Sequence, residues 1–536
     1  MREVLTTEEG EVGGGWKALV FDNENKALLS YFKLGDLREM NVALHLHLEE
    51  KKSSLQGVKG VYLLAPTAES VEFFLSDLRG LVFEDFYLNF SRPIDQSLLT
   101  RLCDSIISAG RTSNVRKIRQ FFMTALPLTS ESFTLGCPAN HADLPVKLAT
   151  VLAAENLKPI FAFDKASQAA AELAEATRAA VDRVDPSRAP NRPTLVILSD
   201  GQGDFLPGLL PSMLYGQLLS EQFGAFESSD SFNTLHLDGQ SSHVDLRGDK
   251  FFYRHSTADL PTAALALSDE LGAYKSKFEA LEGRGSTENV ESIAENFSEK
   301  IEKIPEMTEL RKRNKFHTRV CQTLLSSVRS QGLDEFARLV ESARKNRDLP
   351  REALTAALSV GGGPAKTRLF FGLAAAGLSS SALKPLADSA RQDSARHAKG
   401  IDLQMEKIEK EEKATGAKQA SGGLLAGLKG RGMKFLADSL GSSAEFESTR
   451  ALRYFIKGKK EFYEKFALDP PTQKAEGAPP QGIEVVVIFN LSAGGFPELV
   501  ELKEVAKELK VDVVYGTPQI LTPEKVVDKY VDFIDK

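Results

Sequence analysis

The stretch VYLLAPTAESVEFFLSDL, residues 61–78, constrains the fold more than any other. Val61 to Ala65 is an unbroken apolar run, the pattern of a strand buried on both faces. Pro66 and Thr67 stop it, Thr67 can cap a helix, and Val71, Phe74, Leu75 and Leu78 then recur at i, i+3, i+4, i+7. A two-sided apolar strand turning directly into an amphipathic helix predicts a mostly parallel sheet covered by helices.

In such sheets the strand-to-helix loop is where a phosphate sits. A phosphate cradle needs glycines, so that bare N–H groups can close on the oxygens. The turn Ala65-Pro66-Thr67-Ala68-Glu69 has none; its proline removes a donor and Glu69 places a negative charge at the helix start. The architecture is that of a nucleotide-binding enzyme, but the loop is not.

The same alternation runs over residues 16–135. WKALVFD (16–22), KGVYLLAP (59–66) and GLVFEDFYLNF (80–90) read as strands, and 36–50, 67–79 and 96–109 as helices. A second α/β region begins near 145 with a helix feeding a short strand (LPVKLATVLAAENLKPIFAFD), followed by RPTLVILSDGQGD (192–204), a buried strand ending in a polar turn. From about 262 to 345 the pattern is helical. Residues 405–433 turn charged and then glycine-rich, the composition of a mobile segment, and DPPTQKAEGAPPQG (469–482) is a linker. Beyond it, IEVVVIFN, LSAGGFPE, LVELKEVAKELK and VDVVYG read strand, turn, helix, strand. A tail of about 55 residues cannot bury a core alone, so it completes the sheet begun at 145–204 and makes that domain discontinuous.

One helix stands out, read from Pro305 to Ser330 and ended by Gly332. Met307, Leu310, Asn314, His317, Cys321, Leu324 and Val328 step by 3 and 4, a heptad seam with two polar members. Such a seam either packs within its own domain or is offered to helices from another chain. The basic run Arg311, Lys312, Arg313, Lys315 and Arg319 beside it is either a solvated face or suits an acidic helical partner.

Length excludes a single core: 536 residues imply three to four domains. The net charge of −7 argues against general nucleic-acid affinity. Cys103, Cys137 and Cys321 are too few and too scattered for a disulfide framework or a zinc site. The acidic, glycine-rich start MREVLTTEEGEVGGG has no signal-peptide core, and no apolar run approaches the ~20 residues of a membrane span. A soluble, cytoplasmic, monomeric protein is expected. Asp200 and Asp204 in DGQGD fall short of a calcium loop, and a turn closed by side-chain hydrogen bonds accounts for them better. SAGGF (492–496) lacks the dinucleotide pattern, and Pro497 fits the first turn of a helix. No catalytic spacing is legible, so neither an enzyme nor a cofactor is expected.

Taken in order, WKALVFDNENKALLSYFKLGDLREMNVALHLHL, VYLLAPTAESVEFFLSDL and FEDFYLNFSRPI resemble the N-terminal domain of the SM family, the Sec/Munc-like partners of syntaxins in vesicle fusion. The Leu37-Arg38-Glu39-Met40 turn, the Ala65-Pro66-Thr67 turn and Tyr87-Leu88-Asn89-Phe90 look most like the Sly-type branch, which serves traffic between endoplasmic reticulum and Golgi. The likeness recurs at LVILSDGQGDFLPGLLPSMLYGQLL, at DLRGDKFFYRH (245–255), at IPEMTELRKRNKFHTRV (304–320) and at VVVIFNLSAGGFPEL with VVYGTPQIL. It is thin from 345 to 475. Gly201 stands where the family has an arginine, and Pro207-Gly208 where it has Thr-Pro. The segment after Lys275 looks short for the lid of the Sly-type branch.

The resemblance implies a three-domain arch: two α/β domains with mostly parallel sheets, the second discontinuous, and a mainly helical third. The boundaries are 1–143, 144–260, 261–479 and 480–536. It implies a non-enzymatic protein that binds a Golgi-type syntaxin and templates or protects SNARE assembly, held at ER and Golgi membranes only through those partners. Leu99, Leu102, Cys103, Val115 and Ile118 would line a pocket for the syntaxin N-terminal peptide. Met307, Leu310, Arg311, Lys312, Arg313, Asn314, His317 and Cys321 would contact SNARE helices. The alternatives are an SM protein of a vacuolar, endosomal or plasma-membrane compartment, or a Rossmann-like nucleotide-binding enzyme.

Overall fold

The structure is a computed structural model. It describes Leu5 and residues 15–25, 34–121, 125–184, 192–227, 234–237, 240–243, 246, 249–283, 290–346, 354–355, 358, 363–375, 378–420, 445–469 and 482–535. The segment after Lys275 that bears on a lid lies partly outside these residues, as do 421–433 and most of the 469–482 linker.

The first α/β unit contains strands β1 (Lys17–Phe21), β2 (Val42–His47), β3 (Leu55–Leu64), β4 (Phe83–Phe90) and β5 (Val115–Gln120). All pair in parallel, in the order β2-β1-β3-β4-β5. Helices α1 (Leu34–Glu39), α2 (Ala68–Arg79) and α3 (Gln96–Ser108) join them. The strand and helix of residues 61–78 form as their pattern requires. The Thr67 side chain accepts from the Ser70 amide at 3.1 Å, and Val71, Phe74, Leu75 and Leu78 are buried. One helix expected over 36–50 is instead the short α1 followed by β2. The sequence VALHLH alternates at period two, and pairing with β1 supplies backbone hydrogen bonds that a helix would have to find within itself.

The second sheet has seven strands: β6 (Leu126–Thr129), β7 (Ser132–Thr134), β8 (Leu157–Asp164), β9 (Arg192–Ser199), β12 (Phe466–Asp469), β13 (Val485–Asn490) and β14 (Asp512–Thr517). Their order is β12-β8-β9-β13-β14-β7-β6, with β12 and β6 antiparallel to their neighbours and the rest parallel. A separate hairpin, β10 (Thr234–Leu237) and β11 (Gln240–His243), completes the count. β13 inserts beside β9 in the register Thr194↔Val485 to Ser199↔Asn490, so the C-terminal segment does enter this sheet. One edge comes from residues 126–134, upstream of 144.

Helices α4 (Leu144–Ala154) and α5 (Gln168–Val184) cover one face over a core of Leu144, Leu148, Leu152, Phe161, Val196 and Val487. The other face carries the short α6 (Leu206–Leu209), then α7 (Tyr215–Phe223), α8 (Lys250–His255), α9 (Leu260–Gly283), α10 (Val290–Gln331) and α11 (Leu333–Asn346). Next come α12 (Gly363–Ala375), α13 (Ser380–Asp393), α14 (Ala398–Ala420), α15 (Glu447–Ile456) and α16 (Lys460–Lys465). The last two are α17 (Phe496–Leu509) and α18 (Pro523–Asp535). A single apolar core runs from Leu195, Ile197, Val486 and Ile488 of the sheet into these helices. Residues 405–420, read as mobile, belong to α14.

Arg368 of α12 ties the helices to the sheet layer. Its guanidinium donates to both carboxylate oxygens of Glu221 at 2.8 and 2.6 Å, and to the carbonyls of Leu209 and Leu210 at 2.8 and 2.6 Å. Those carbonyls are the unpaired end of α6, so one buried cation satisfies both a carboxylate and a helix terminus.

Candidate functional site

Of the five residues expected to line a pocket, Leu99, Leu102 and Cys103 lie on α3, and Val115 and Ile118 lie on β5 at the edge of the first sheet. Asp95 caps α3 by accepting from the Ser97 amide at 2.9 Å, which sets the helix phase. Leu102 and Ile106 then point into the core, at 0% and 4% exposure, while Leu99 and Cys103 lie further round and are half-buried. β5 is the edge strand beside them. Its register with β4 runs Phe86↔Val115, Tyr87↔Lys117, Leu88↔Ile118, so the strand carries one extra residue at Arg116. In a regular strand Val115 and Ile118 would face opposite sides. The bulge puts both on the side of Phe86 and Leu88, the side covered by α2 and α3. Val115 is half-buried and Ile118 is 36% exposed.

On that side of the sheet Leu102 is core, Leu99 and Val115 pack against the same core, Cys103 is half-buried and Ile118 is exposed. Sequence reasoning passed over Ile107, which is 64% exposed one turn beyond Cys103. Its exposure, rather than its residue type, marks it.

The helix seam is placed differently. α10 begins at Val290, not Pro305, because the residues upstream, VESIAENFSEKIEK, are mostly good helix formers. Asn314, His317, Cys321, Leu324 and Val328 are buried inside the chain. The Tyr215 hydroxyl lies 2.7 Å from His317 Nδ1, and His317 Nε2 lies 3.1 Å from Asp249 Oδ1. Burial pushes the Asp249 carboxyl up, but His317, the Phe252 amide and Arg313 outweigh it and hold it below its ordinary value. Burial pushes the Cys321 thiol up to about 11. Asn314, His317 and Cys321 are therefore internal packing, and they are not presented to a partner's helices. Arg313 is turned inward too, donating to Glu270 at 2.7 Å. Arg311, Lys312 and Lys315 are exposed, Arg319 and Leu310 half-buried, and the Met307 side chain lies outside what is described.

Both loops that would hold a phosphate are filled by the protein's own groups. After β3, Asp22 Oδ2 accepts from the Ala65 amide at 2.6 Å and the Ser70 hydroxyl at 2.9 Å. Glu69, expected to supply that charge, is exposed instead. Asp22 directly follows β1, and only the parallel pairing of β1 with β3 brings it to this turn. After β13, Asn490 Oδ1 accepts from the amides of Ser492 and Ala493 at 2.9 and 3.2 Å. Tyr515 and Gln217 accept from the amides of Gly495 and Phe496 at 2.9 and 3.1 Å. A Cβ at position 494 would overlap the Tyr515 hydroxyl, which explains this loop's glycine without any ligand.

Beneath that loop Glu498 accepts from Tyr515 at 2.6 Å, from Asn490 at 3.0 Å and from Ser448. Burial raises its carboxyl to about 7. Asp204 closes the DGQGD turn by accepting from the Gly201 amide at 2.8 Å. A side chain at Gly201 would point toward Asp204, Asp164 and Glu447, and the cation there comes from elsewhere: Lys465 lies 3.3 Å from Asp164 and contacts Glu447. Among the described residues no cluster could hold a metal ion, and no helix is long and apolar enough to cross a membrane.

The described residues thus form one parallel and one mostly parallel sheet, with the protein's own side chains accepting from the loop amides after β3 and β13. The chain belongs to the Sec1 family: the sequence model of that family matches residues 17–529. It is 23% identical over 365 residues to the protein sly1 of Schizosaccharomyces pombe, covering 61% of this chain and 56% of that protein. It is 22% identical over 374 residues to SLY1 of Saccharomyces cerevisiae, covering 60% and 55%. To the human Sec1 family domain-containing protein 1 it is 21% identical over 398 residues, covering 63% and 62%. The matches thus span little more than half the length of these relatives. Among solved structures, Sly1p in complex with an N-terminal peptide of Sed5p superposes with a TM-score of 0.71 at 18% identity, covering 97% of this chain and 92% of that one. The SM protein Vps45 gives 0.70 at 17% identity, covering 100% and 96%. At these identities the likeness establishes the fold.

Proposed function

We propose that this chain is an SM-type regulator of SNARE-mediated fusion that binds a syntaxin in ER–Golgi transport and acts through binding surfaces, without catalysis. The observation that carries the reading is the set of partly open apolar side chains that α3 and β5 place on one side of the first sheet, which we read as a groove. Its walls are apolar and partly open, and a bulge in an edge strand aims Val115 and Ile118 at the same opening. An exposed apolar groove calls for an occupant, and an aromatic side chain suits it. The similar Sly1p structure holds an N-terminal peptide of Sed5p, which makes a syntaxin N-terminal peptide the natural occupant. A division into three domains is part of this reading, with the boundaries expected at 143 and 479 moved, since residues 126–134 and 466–469 are strands of the second sheet. So are a monomeric state and peripheral association with ER and Golgi membranes.

The likeness to Vps45, solved also in complex with the Qa SNARE Tlg2, supports a second assignment, to another compartment's syntaxin. One experiment separates the readings. Fluorescence polarisation with N-terminal peptides of Sed5p and Tlg2 should show binding to the first and weaker binding to the second. Val115→Lys should abolish it while leaving the melting temperature close to wild type, because a lysine stem can reach water from the groove wall. If Val115→Lys folds and binds normally, the groove is not the peptide site. Preference for the Tlg2 peptide would move the protein to the other compartment.

A further inference from the structure

Part of β14 runs along an open edge of the second sheet. β7 pairs with it only from Tyr515 to Thr517. The Tyr515 amide donates to the Glu131 carbonyl at 2.9 Å, so the N–H and C=O of Tyr515 face β7. The period of two turns the N–H and C=O of Val513 the same way, away from β13. No strand meets them there among the described residues, because the chain has already turned off this line. The Glu131 amide donates to Thr129 Oγ1 at 3.2 Å, within the turn that joins β6 to β7. Val513 and Val514 are accordingly half-buried, whereas Val486 and Val487 beside them on β13 are 0% and 1% exposed.

A cavity of about 450 Å³ lies against this stretch and is lined from both faces of the sheet. Val151 and Leu152 of α4 stand on the face toward which Val514 packs; Leu499, Leu502 and Ala506 of α17 stand on the face of Val513. The open stretch, Asp512 to Val514, is about 10 Å long at strand rise, the length of three residues of an extended chain.

The rim is charged unevenly. Lys503, Lys507 and Lys510 line the cavity from α17. Lys503 lies 3.1 Å from Glu131, but Lys507 and Lys510 are exposed and have no ion-pair partner among the described residues. Arg192 is shared between Glu484 and Asp512, 3.8 Å from each. From the α4 side the rim residue is Glu155. A carboxylate is therefore favoured on the α17 face and disfavoured on the other. A purely apolar ligand would leave the N–H and C=O of Val513 unpaired, while an extended backbone satisfies both.

We propose that this edge of β14 is a docking site for an extended acidic segment of a partner protein, added to the sheet as a further strand in line with β7. Its alternate side chains are aliphatic toward α4, where the cavity is apolar, and carboxylates toward α17, where Lys507 and Lys510 receive them.

Short fluorescein-labelled peptides test this on the full chain by polarisation. Three of them alternate valine with Glu, with Gln or with Lys, and a fourth is the Glu peptide methylated on its backbone nitrogens. The Glu peptide is expected to bind at least about tenfold more tightly than the Lys peptide, with the Gln peptide between them and the spread shrinking as salt is raised. Methylation, which removes the backbone donors and leaves the charge, should weaken binding at least about tenfold. Lys507→Gln with Lys510→Asn should erase the advantage of Glu over Gln; asparagine tolerates the left-handed backbone at 510, where φ is 55°. Val115→Lys, on the first sheet, should change nothing. Equal binding of the Glu and Lys peptides, undiminished binding of the methylated one, or a Glu advantage that survives in the double variant overturns the proposal. Loss of binding in Val115→Lys places these peptides on the first sheet and overturns it too. No binding of any peptide also overturns it, with sedimentation then showing whether a second copy of the chain takes the edge instead.

Discussion

The Tyr215 hydroxyl and Nδ1 of His317 meet 2.7 Å apart where neither side chain touches solvent, joining α7 to the middle of α10. On the ring's other side Asp249, which caps α8 by accepting from the Phe252 amide at 2.7 Å, faces Nε2. Three helices therefore share one imidazole. Tyr215→Phe keeps the ring and removes the hydroxyl, leaving a buried nitrogen without its partner. It should cost about 1–3 kcal/mol, seen as a lower denaturation midpoint with an unchanged slope, while peptide affinity at the distant groove stays as it was. An unmoved midpoint would mean the contact does not hold α10 in place.

Leu102 and Ile118 should separate in mutation. Leu102 is fully buried against α2 and β4, so Leu102→Ala should cost about 2–5 kcal/mol of stability. Ile118, 36% exposed, should cost well under that as alanine, yet weaken peptide binding severalfold. Paired thermal melts and peptide titrations check both, and a larger stability loss at Ile118 than at Leu102 would place it in the core.

Glu498 gives the protein a pH dependence opposite to that of a salt-bridged acid. Burial raises its folded-state pKa to about 7, above the ordinary 4.5, with Asp204 adding to the rise and Ser448, Tyr515 and Asn490 opposing it. Between these two values the folded chain holds a proton that the unfolded chain has released. Stability from this group is thus full below 4.5 and falls as pH rises to about 7, by up to roughly 3 kcal/mol. Glu498→Gln keeps an acceptor for Tyr515 and Asn490 and removes the titration. Urea unfolding from pH 5 to 8 should show wild type losing stability across that window and the variant flatter; parallel profiles would refute the assignment.

Beside the buried seam, Arg311, Lys312 and Lys315 of α10 are exposed. Arg311→Glu, Lys312→Glu and Lys315→Glu together should leave the fold intact, since all three are exposed, and weaken binding to an acidic SNARE helix in a salt-dependent way. Adding Arg313→Glu should destabilise the chain through Glu270, which would then face a like charge. Wild-type affinity of the triple variant in pull-downs at low salt would remove this face from the interaction surface.

How much of this could be read from the sequence varied with the range of the interaction. The unit 61–78 was fully legible, because strand, cap and helix lie within one local pattern. The heptad of α10 was legible as a pattern but not as a surface, since periodicity shows which residues share a face and not what covers it. Tyr215 and Asp249, which decide the matter, are 102 and 68 positions away from His317. Asp22 was missed for the same reason: it reaches the Ala65 turn only through strand pairing across 43 residues. Val115 and Ile118 were placed together on the strength of the resemblance, and the extra residue that lets a strand present them together lies in the register with β4, which one strand's sequence does not carry.

The insertion of β13 between β9 and β14 also sets a schedule for synthesis. Thr194 meets Val485, about 290 residues further on, and at ribosomal speeds of roughly 5–20 residues per second that partner arrives some 15–60 s later. Until then β9 offers Leu195, Val196, Ile197 and Leu198 along an edge with nothing beside it. The nascent chain must be shielded through that interval, and a transcript truncated anywhere in it would yield a sheet that cannot close, a product fit only for a chaperone or a protease.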